Sequence, residues 1–323
     1  MPMTTPRAPM PTPDAPLRIG TRGSPLALAQ AYETRGRLMQ AHGLPEDAFA
    51  ITVLKTTGDA VQDRPLSEIG GKGLFTKELE AALLENRADI AVHSMKDVAT
   101  ERPDGLLLPC ILEREDVRDA FISHDFATID DLLEGAVIGT SSLRRRAQML
   151  HRRPDLRIVE FRGNVQTRMK KLADGVASAT FLAVAGLRRL GMDVLAERAI
   201  DTDAMLPAVA QGAIGIEHRA GDALAAALLA PLNHPDSHLR LVAERAFLAG
   251  LDGSCRTPIG GLADLLPDGR LRLRGEILRP DGSVRHATER TGPASDAALM
   301  GADAAEELRT RGGKGFFDVM ELR

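Results

Sequence analysis

The sequence predicts an α/β protein: two similar lobes facing each other across a cleft, with a smaller α+β unit at the C-terminal end. Three observations carry this. A strand–turn–helix pattern opens at Leu17 and again at Val137. Three blocks also recur in the same order: Ile19-Gly20-Thr21 is echoed by Ile138-Gly139-Thr140, Val53-Leu54-Lys55 through Asp59 by Val159 through Asn164, and Ala88 to Val92 by Ala179 to Val184. Near the end, two strand-like runs flank Pro280-Asp281-Gly282, a hairpin signal. The implied division is a disordered tail over 1–16, a first lobe over 17–112 and 213–230, a second over 113–212 and the third unit over 231–323.

Taken in order, Leu17-Arg18-Ile19 opens a strand, and a turn through Arg22 leads to Ser24. Serine at the N-cap satisfies a free amide of the first helical turn, and Pro25 at the first position gives up an N–H that has no partner there. The helix is expected to run to His42 and stop at Gly43. Residues 51–54 form the second strand. Residues 61–75, glycine-rich around Gly70-Gly71-Lys72-Gly73, have no apolar period and imply a mobile loop. Thr76 then caps a helix over 77–85, with Leu79, Leu83 and Leu84 inward. The strand from Ala88 runs into His93-Ser94-Met95-Lys96-Asp97. In parallel sheets that end faces the ligand crevice, so Lys96 and Asp97 fall where chemistry is usually sited.

In the second lobe a strand over 136–138 leads through Gly139-Thr140-Ser141-Ser142 into a helix opening near Ser142. A helix N-terminus carries free amides and roughly half a positive charge, which suits an anion. Arg144, Arg145 and Arg146 nevertheless crowd its first turn, and this misfit points to something negative bound there. Between Thr140 and Leu190, twelve Lys and Arg stand against three Asp and Glu, a net +9 in a chain of net −4. A solvated, salt-bridged helix face gives the same count. The predominance of arginine favours a pocket for a polyanion, because its planar fork grips carboxylate or phosphate with two bonds. Residues 206–217, apolar and glycine-punctuated, return the chain to the first lobe through a hinge that offers Gln211 to a ligand. A helix over 239–249, a glycine-rich loop over 251–261, strands over 271–278 and 284–290 and a helix over 295–311 complete the chain.

The bulk numbers exclude several classes. With no Trp, one Tyr and nine Phe, the chain lacks the aromatic platforms on which single-stranded nucleic acids stack. No run approaches the ~20 apolar residues of a membrane span. The proline-rich start fits neither a signal peptide nor a strand, and a cytoplasmic protein is expected. Two cysteines exclude a disulfide scaffold and a four-cysteine zinc site, and no metal is expected. Cys110, in an apolar run, is expected to be an inert core residue. Cys255, in a glycine-rich loop beside Arg256, has the surroundings of a reactive thiolate.

Six stretches carry a resemblance: Gly-Thr-Arg-Gly-Ser-Pro-Leu-Ala from Gly20, Gly-Gly-Lys-Gly-Leu-Phe-Thr-Lys-Glu-Leu-Glu from Gly70, Asp-Ile-Ala-Val-His-Ser-Met-Lys-Asp from Asp89, Gly-Thr-Ser-Ser-Leu-Arg-Arg from Gly139, Arg-Gly-Asn-Val-Gln-Thr-Arg from Arg162 and Gly-Ser-Cys-Arg-Thr-Pro-Ile-Gly from Gly253. Together they resemble the porphobilinogen deaminase (hydroxymethylbilane synthase) family from Leu17 to the end. The resemblance implies lobes like those of periplasmic binding proteins. It implies a transferase that condenses four porphobilinogen molecules head to tail, releasing ammonia; a monomer without nucleic-acid or membrane partners is expected. It also implies a dipyrromethane cofactor held by a thioether to Cys255. Asp97 matches the family's catalytic aspartate; Lys96, Ser142, Arg144, Arg145 and Arg162 match cofactor-binding positions, and Arg22, Ser24, Arg168, Arg189 and Gln211 substrate-binding ones. Ser178 stands where the family commonly has Asp, and Glu68 where relatives can carry a basic residue.

The residue chemistry agrees with what the resemblance implies. Each added pyrrole brings two carboxylates, a load that a +9 segment matches. An ionised Asp97 beside a pyrrole N–H either stabilises the cation left by departing ammonia or protonates the leaving amine, and the sequence does not separate these roles. Two lobes and a hinge also describe a solute-binding protein, but that alternative has no use for Cys255.

Overall fold

The computed structural model describes residues 9–56, 58, 73, 75–253 and 257–316. Along the chain run β1 (Leu17–Arg22), α1 (Pro25–His42), β2 (Phe49–Leu54), α2 (Lys77–Leu84), β3 (Ile90–Ser94) and β4 (Leu106–Ile111). Next come β5 (Asp119–Ile122), β6 (Val137–Gly139), α3 (Leu143–Arg152), β7 (Arg157–Val159), α4 (Val165–Ala173), β8 (Ala179–Ala183), α5 (Val184–Arg189) and α6 (Asp193–Ala196). The chain closes with β9 (Ile214–Arg219), α7 (Ala223–Leu229), α8 (Pro235–Gly250), β10 (Ile259–Leu265), β11 (Arg270–Leu278), β12 (Arg285–Pro293) and α9 (Ala297–Gly312).

The recurring sequence blocks emerge as matching sheets. In the first lobe the order is β2-β1-β3-β9-β4, with β1 parallel to both β2 and β3. In the second it is β7-β6-β8-β5, with β6 parallel to both β7 and β8. β1 and β6 are thus the same strand of two copies. Gly20 pairs with Ala91 in one sheet as Gly139 pairs with Thr180 in the other. The antiparallel β9 lies between β3 and β4, so the chain does return to the first lobe after residue 213. The third unit is an antiparallel β10-β11-β12 sheet packed on α8 and α9.

Local chemistry explains the element ends. The Ser24 hydroxyl accepts the Ala27 amide at 3.3 Å, and Gly43 closes α1 at φ +64°. α3 starts as expected, with the Ser142 hydroxyl accepting the Arg145 amide. The expected Thr76 cap is not made: Thr76 lies in helical backbone geometry, where its side chain cannot reach back to the amides of the first turn. Nor are all the first sixteen residues a loose tail. Thr12 and Ala15 exchange backbone hydrogen bonds, and Met10 packs against the core that Leu17, Leu38 and Phe49 share. Burial of that side chain offsets the entropy of ordering the segment.

The core of the third unit is continuous with the hinge and the first lobe. Phe247, Leu273 and Leu308 belong to one apolar cluster with Met95, Val98, Val209 and Ala213. The turn carrying Lys96 and Asp97 therefore rests on packed structure from two directions.

Candidate active site

The carboxyl ends of the parallel strands of both lobes open on one cleft of about 730 Å³. Arg22 ends β1, Lys55 and Thr56 follow β2, and Lys96 and Asp97 form a short 3-10 turn directly after β3. Across from them Ser141 and Ser142 follow β6, Arg162 and Gly163 follow β7, and Leu182 and Ala183 end β8. β6 reaches this edge because Gly139 lies against the Phe161 ring, where a β-carbon would collide with it.

Among the described residues, Asp97 is the acidic one lining the cleft. Arg22 Nη1 stands 3.9 Å from its Oδ2, and the Arg22 guanidinium lies over the Phe75 ring, 4.1 Å from its centre. Lys96 extends toward the hinge, with Nζ 3.4 Å from Gln211 Oε1. Burial pushes the Lys96 ammonium down to about 8; Arg145 and Arg144 add to this, against the opposing pull of Asp97 and Asp119. Arg168 donates its Nε to the Gly163 carbonyl at 2.9 Å, and burial beside Arg145 and Arg162 brings its guanidinium down to about 10.

Arg144 and Arg145 are not the free grips that their position in the first turn implied. Both are buried and held at both ends. Arg144 donates to Asp119 at 2.7 Å and to the Leu206 carbonyl at 2.9 Å. Arg145 donates to Asp119 at 2.6 Å and to the Phe181 carbonyl at 2.7 Å. Gln211 Nε2 reaches the same carboxylate at 3.0 Å. Burial alone would raise the Asp119 pKa, but the two guanidiniums override it and hold the carboxyl well below its usual range.

Arg22, Ser24, Lys96, Asp97, Ser142, Arg144, Arg145, Arg162, Arg168 and Gln211 thus converge on one cleft. Arg189 does not line it. Its Nε pairs with Glu33 of α1 at 3.1 Å and its Nη2 donates to the Gly212 carbonyl, tying α5 to the first lobe beside the hinge. Cys255 and Glu68 lie outside the described residues, but Leu248 and Thr257, on either side of the cysteine, line the cleft. Ser178 is a strand-edge residue, its carbonyl accepting the Ser123 hydroxyl at 2.7 Å. Cys110 is buried, and burial pushes its thiol up to about 12, as an inert core residue requires. Asp119 was missed, since a single aspartate in an apolar strand carries no sequence signal of its partners.

Fold and site define an α/β protein of two lobes whose cleft, among the described residues, opposes many cationic donors to one carboxylate, a place for a polycarboxylate to react. The chain belongs to the porphobilinogen deaminase family. Residues 17–227 match its dipyrromethane cofactor binding domain and residues 238–310 its C-terminal domain. A porphobilinogen deaminase of Paracoccus denitrificans is 68% identical over 309 residues, covering 96% of this chain and 98% of its own. The chloroplastic porphobilinogen deaminase of Oryza sativa subsp. japonica is 53% identical, over 94% of this chain and 86% of its own. Among solved structures, a methionine-binding lipoprotein of Bacillus subtilis described as putative aligns over 70% of this chain and 93% of its own, at 13% identity and a TM-score of 0.41.

Proposed function

We propose that this chain condenses four porphobilinogen molecules head to tail, with release of ammonia, into the linear tetrapyrrole hydroxymethylbilane. The observation that carries the reading is a cleft of enclosed arginines around a carboxylate, Asp97, that is single among the described residues. The residues fit a dipyrromethane. Nε of Arg144 and Arg145 and Nη1 of Arg162 are buried without a hydrogen-bond partner among the described residues, a costly state that a ligand carboxylate relieves. The cleft volume also lies within the range of small-molecule sites.

In this reading Lys96, Ser142, Arg144, Arg145 and Arg162 hold the cofactor, and Cys255 is its point of attachment; support for the latter is the cleft position of Leu248 and Thr257. When bound, the cofactor supplies a covalent primer that keeps the growing chain on the enzyme. Arg22, Ser24, Arg168 and Gln211 orient the incoming substrate's acetate and propionate groups. Arg189 acts from outside the cleft by tying α5 to α1. Asp97 carries the negative charge that meets the cation developing on the substrate pyrrole as ammonia leaves. Such preorganised charge is often the largest catalytic contribution, worth ~3–4 kcal/mol for one group.

The reading includes a cytoplasmic monomer acting on a small molecule. Intact-mass measurement of the denatured, active protein tests its central part. The expected mass exceeds that of the polypeptide by two pyrrole units, and the Cys255→Ala variant lacks the excess. Active protein with the bare polypeptide mass overturns the proposal.

A further inference from the structure

Asp119 stands at the start of β5, fully enclosed and outside the cleft lining. Its Oδ2 accepts Arg144 Nη2, and its Oδ1 accepts both Arg145 Nη2 and Gln211 Nε2. One carboxylate therefore takes three donors, from a helix of the second lobe and from the hinge. Gln211 Oε1 continues the series to Lys96 Nζ, on the turn that carries Asp97. The contacts run from the arginine pair, through the hinge, to the opposite wall.

We infer that Asp119 is a positioning residue for the condensation: it fixes Arg144 and Arg145 against the cleft and, through Gln211, sets the place of the Lys96 ammonium beside Asp97. The inference rests on the proposed roles of Lys96 and the arginine pair. Two guanidiniums enclosed side by side repel each other, and the carboxylate between them offsets that repulsion where solvent cannot. With their outer nitrogens committed to Asp119, Leu206 and Phe181, both arginines keep only their remaining N–H groups for a ligand. Held this way, they lose little side-chain freedom when a carboxylate arrives.

Among the described residues, the charges that act most on Lys96 are Asp97, Asp119, Arg144 and Arg145. Of these four, neutralising Asp119 leaves one anion and two cations acting on Lys96. Its titration then moves below about 8, a change that loss of packing alone does not produce.

The test uses Asp119→Asn purified as holoenzyme with its cofactor, with lysine side chains labelled with 13C and the Lys96 signal assigned by comparison with Lys96→Gln. We expect kcat to fall by about 100-fold, the loss typical of misplaced catalytic groups. The alkaline limb of the pH–rate profile and the Lys96 NMR midpoint should both move to lower pH. A folded, cofactor-bearing variant with an unmoved midpoint and an unmoved limb overturns the inference, whatever its thermal stability. Should Asp119→Asn give no holoenzyme, Gln211→Met carries the test. It cuts the link to Lys96 and spares the arginine pair, and wild-type kcat and pH profile in that variant also overturn the inference. The NMR midpoint reports Asp119's hold on Lys96 independently of turnover, whereas full activity in Lys96→Gln would instead count against the functional reading.

Discussion

Arg114 and Glu244 form an enclosed bidentate pair, Nη1 to Oε1 at 2.6 Å and Nη2 to Oε2 at 3.0 Å, joining the end of the first lobe's β4 segment to α8 of the third unit. Their side chains are 2% and 0% exposed. Glu244 also accepts the amides of Ala210 and Ala263, and Arg114 donates to the Gln211 carbonyl, so the pair pins hinge, helix and sheet at one point. Removing one partner strands the other charge. Glu244→Ala should therefore cost about 3–5 kcal/mol in urea unfolding, while a paired Arg114→Met, Glu244→Leu replacement costs much less. A single substitution as mild as the double one would refute this account of the junction.

Asp97 is partly exposed to the cleft, and among the described residues its ion pair is a long one, 3.9 Å to Arg22, so the fold depends little on it. Asp97→Ala should keep the wild-type thermal midpoint and lose at least ~100-fold in kcat, the scale of removing one preorganised charge. Steady-state assay of the purified variant checks this, and turnover within a fewfold of wild type rejects the assignment.

Lys96 gives opposite pH trends for activity and stability. Its folded pKa of about 8 lies below the ordinary 10.5, because burial disfavours the ammonium. Between those values the unfolded chain binds more protons than the native state, so this group's contribution to stability improves as pH rises through that window. In the proposed reading Lys96 works as the ammonium, which is lost over the same range, so turnover should fall above about pH 8. Lys96→Met should raise the urea midpoint at pH 7, with the gain shrinking toward pH 10. A gain independent of pH would show that titration of Lys96 is not its source.

The sequence was most legible where chemistry is local. Ser24, Pro25 and Gly43 bound α1 through contacts within a few residues, and the recurring Gly-Thr blocks mark equivalent strand ends. β10 escaped notice because Gly260 and Gly261 resemble a loop; at Gly261 the strand lies so close to Val209 and Phe247 that a β-carbon would crowd them. The +9 count overstated the cationic cleft because the neutralising groups Asp119, Glu115, Asp130 and Glu33 lie outside the segment counted. Spacing along a chain cannot show that Asp119 meets Arg145 and Gln211, which are 26 and 92 residues away.

Gly212 follows Gln211 at φ +88°, and a β-carbon there would run into the Glu115 carbonyl. Both the left-handed backbone and the close approach require glycine. Gly212→Ala should destabilise the fold by at least ~1–3 kcal/mol and displace Gln211 from Asp119 and Lys96. Its kcat should therefore fall further than that of an equally destabilising core variant such as Leu308→Ala. Equal losses in the two would remove the hinge from the mechanism.

Arg162 separates binding from folding. Its Nη1 is buried without a partner among the described residues, so that N–H contributes no hydrogen bond to the ligand-free chain. A buried donor left unsatisfied costs about 1–3 kcal/mol, and Arg162→Leu removes that cost together with the charge. The Cys255→Ala protein, which in the proposed reading carries no cofactor, should thus be as stable or more stable with Arg162→Leu added. With Cys255 intact, Arg162→Leu should carry less covalently bound pyrrole and show a raised KM for porphobilinogen. Calorimetry on the first pair and intact mass with steady-state kinetics on the second read these effects separately. Destabilisation of the cofactor-free protein with unchanged pyrrole content would assign Arg162 to the scaffold instead of the site.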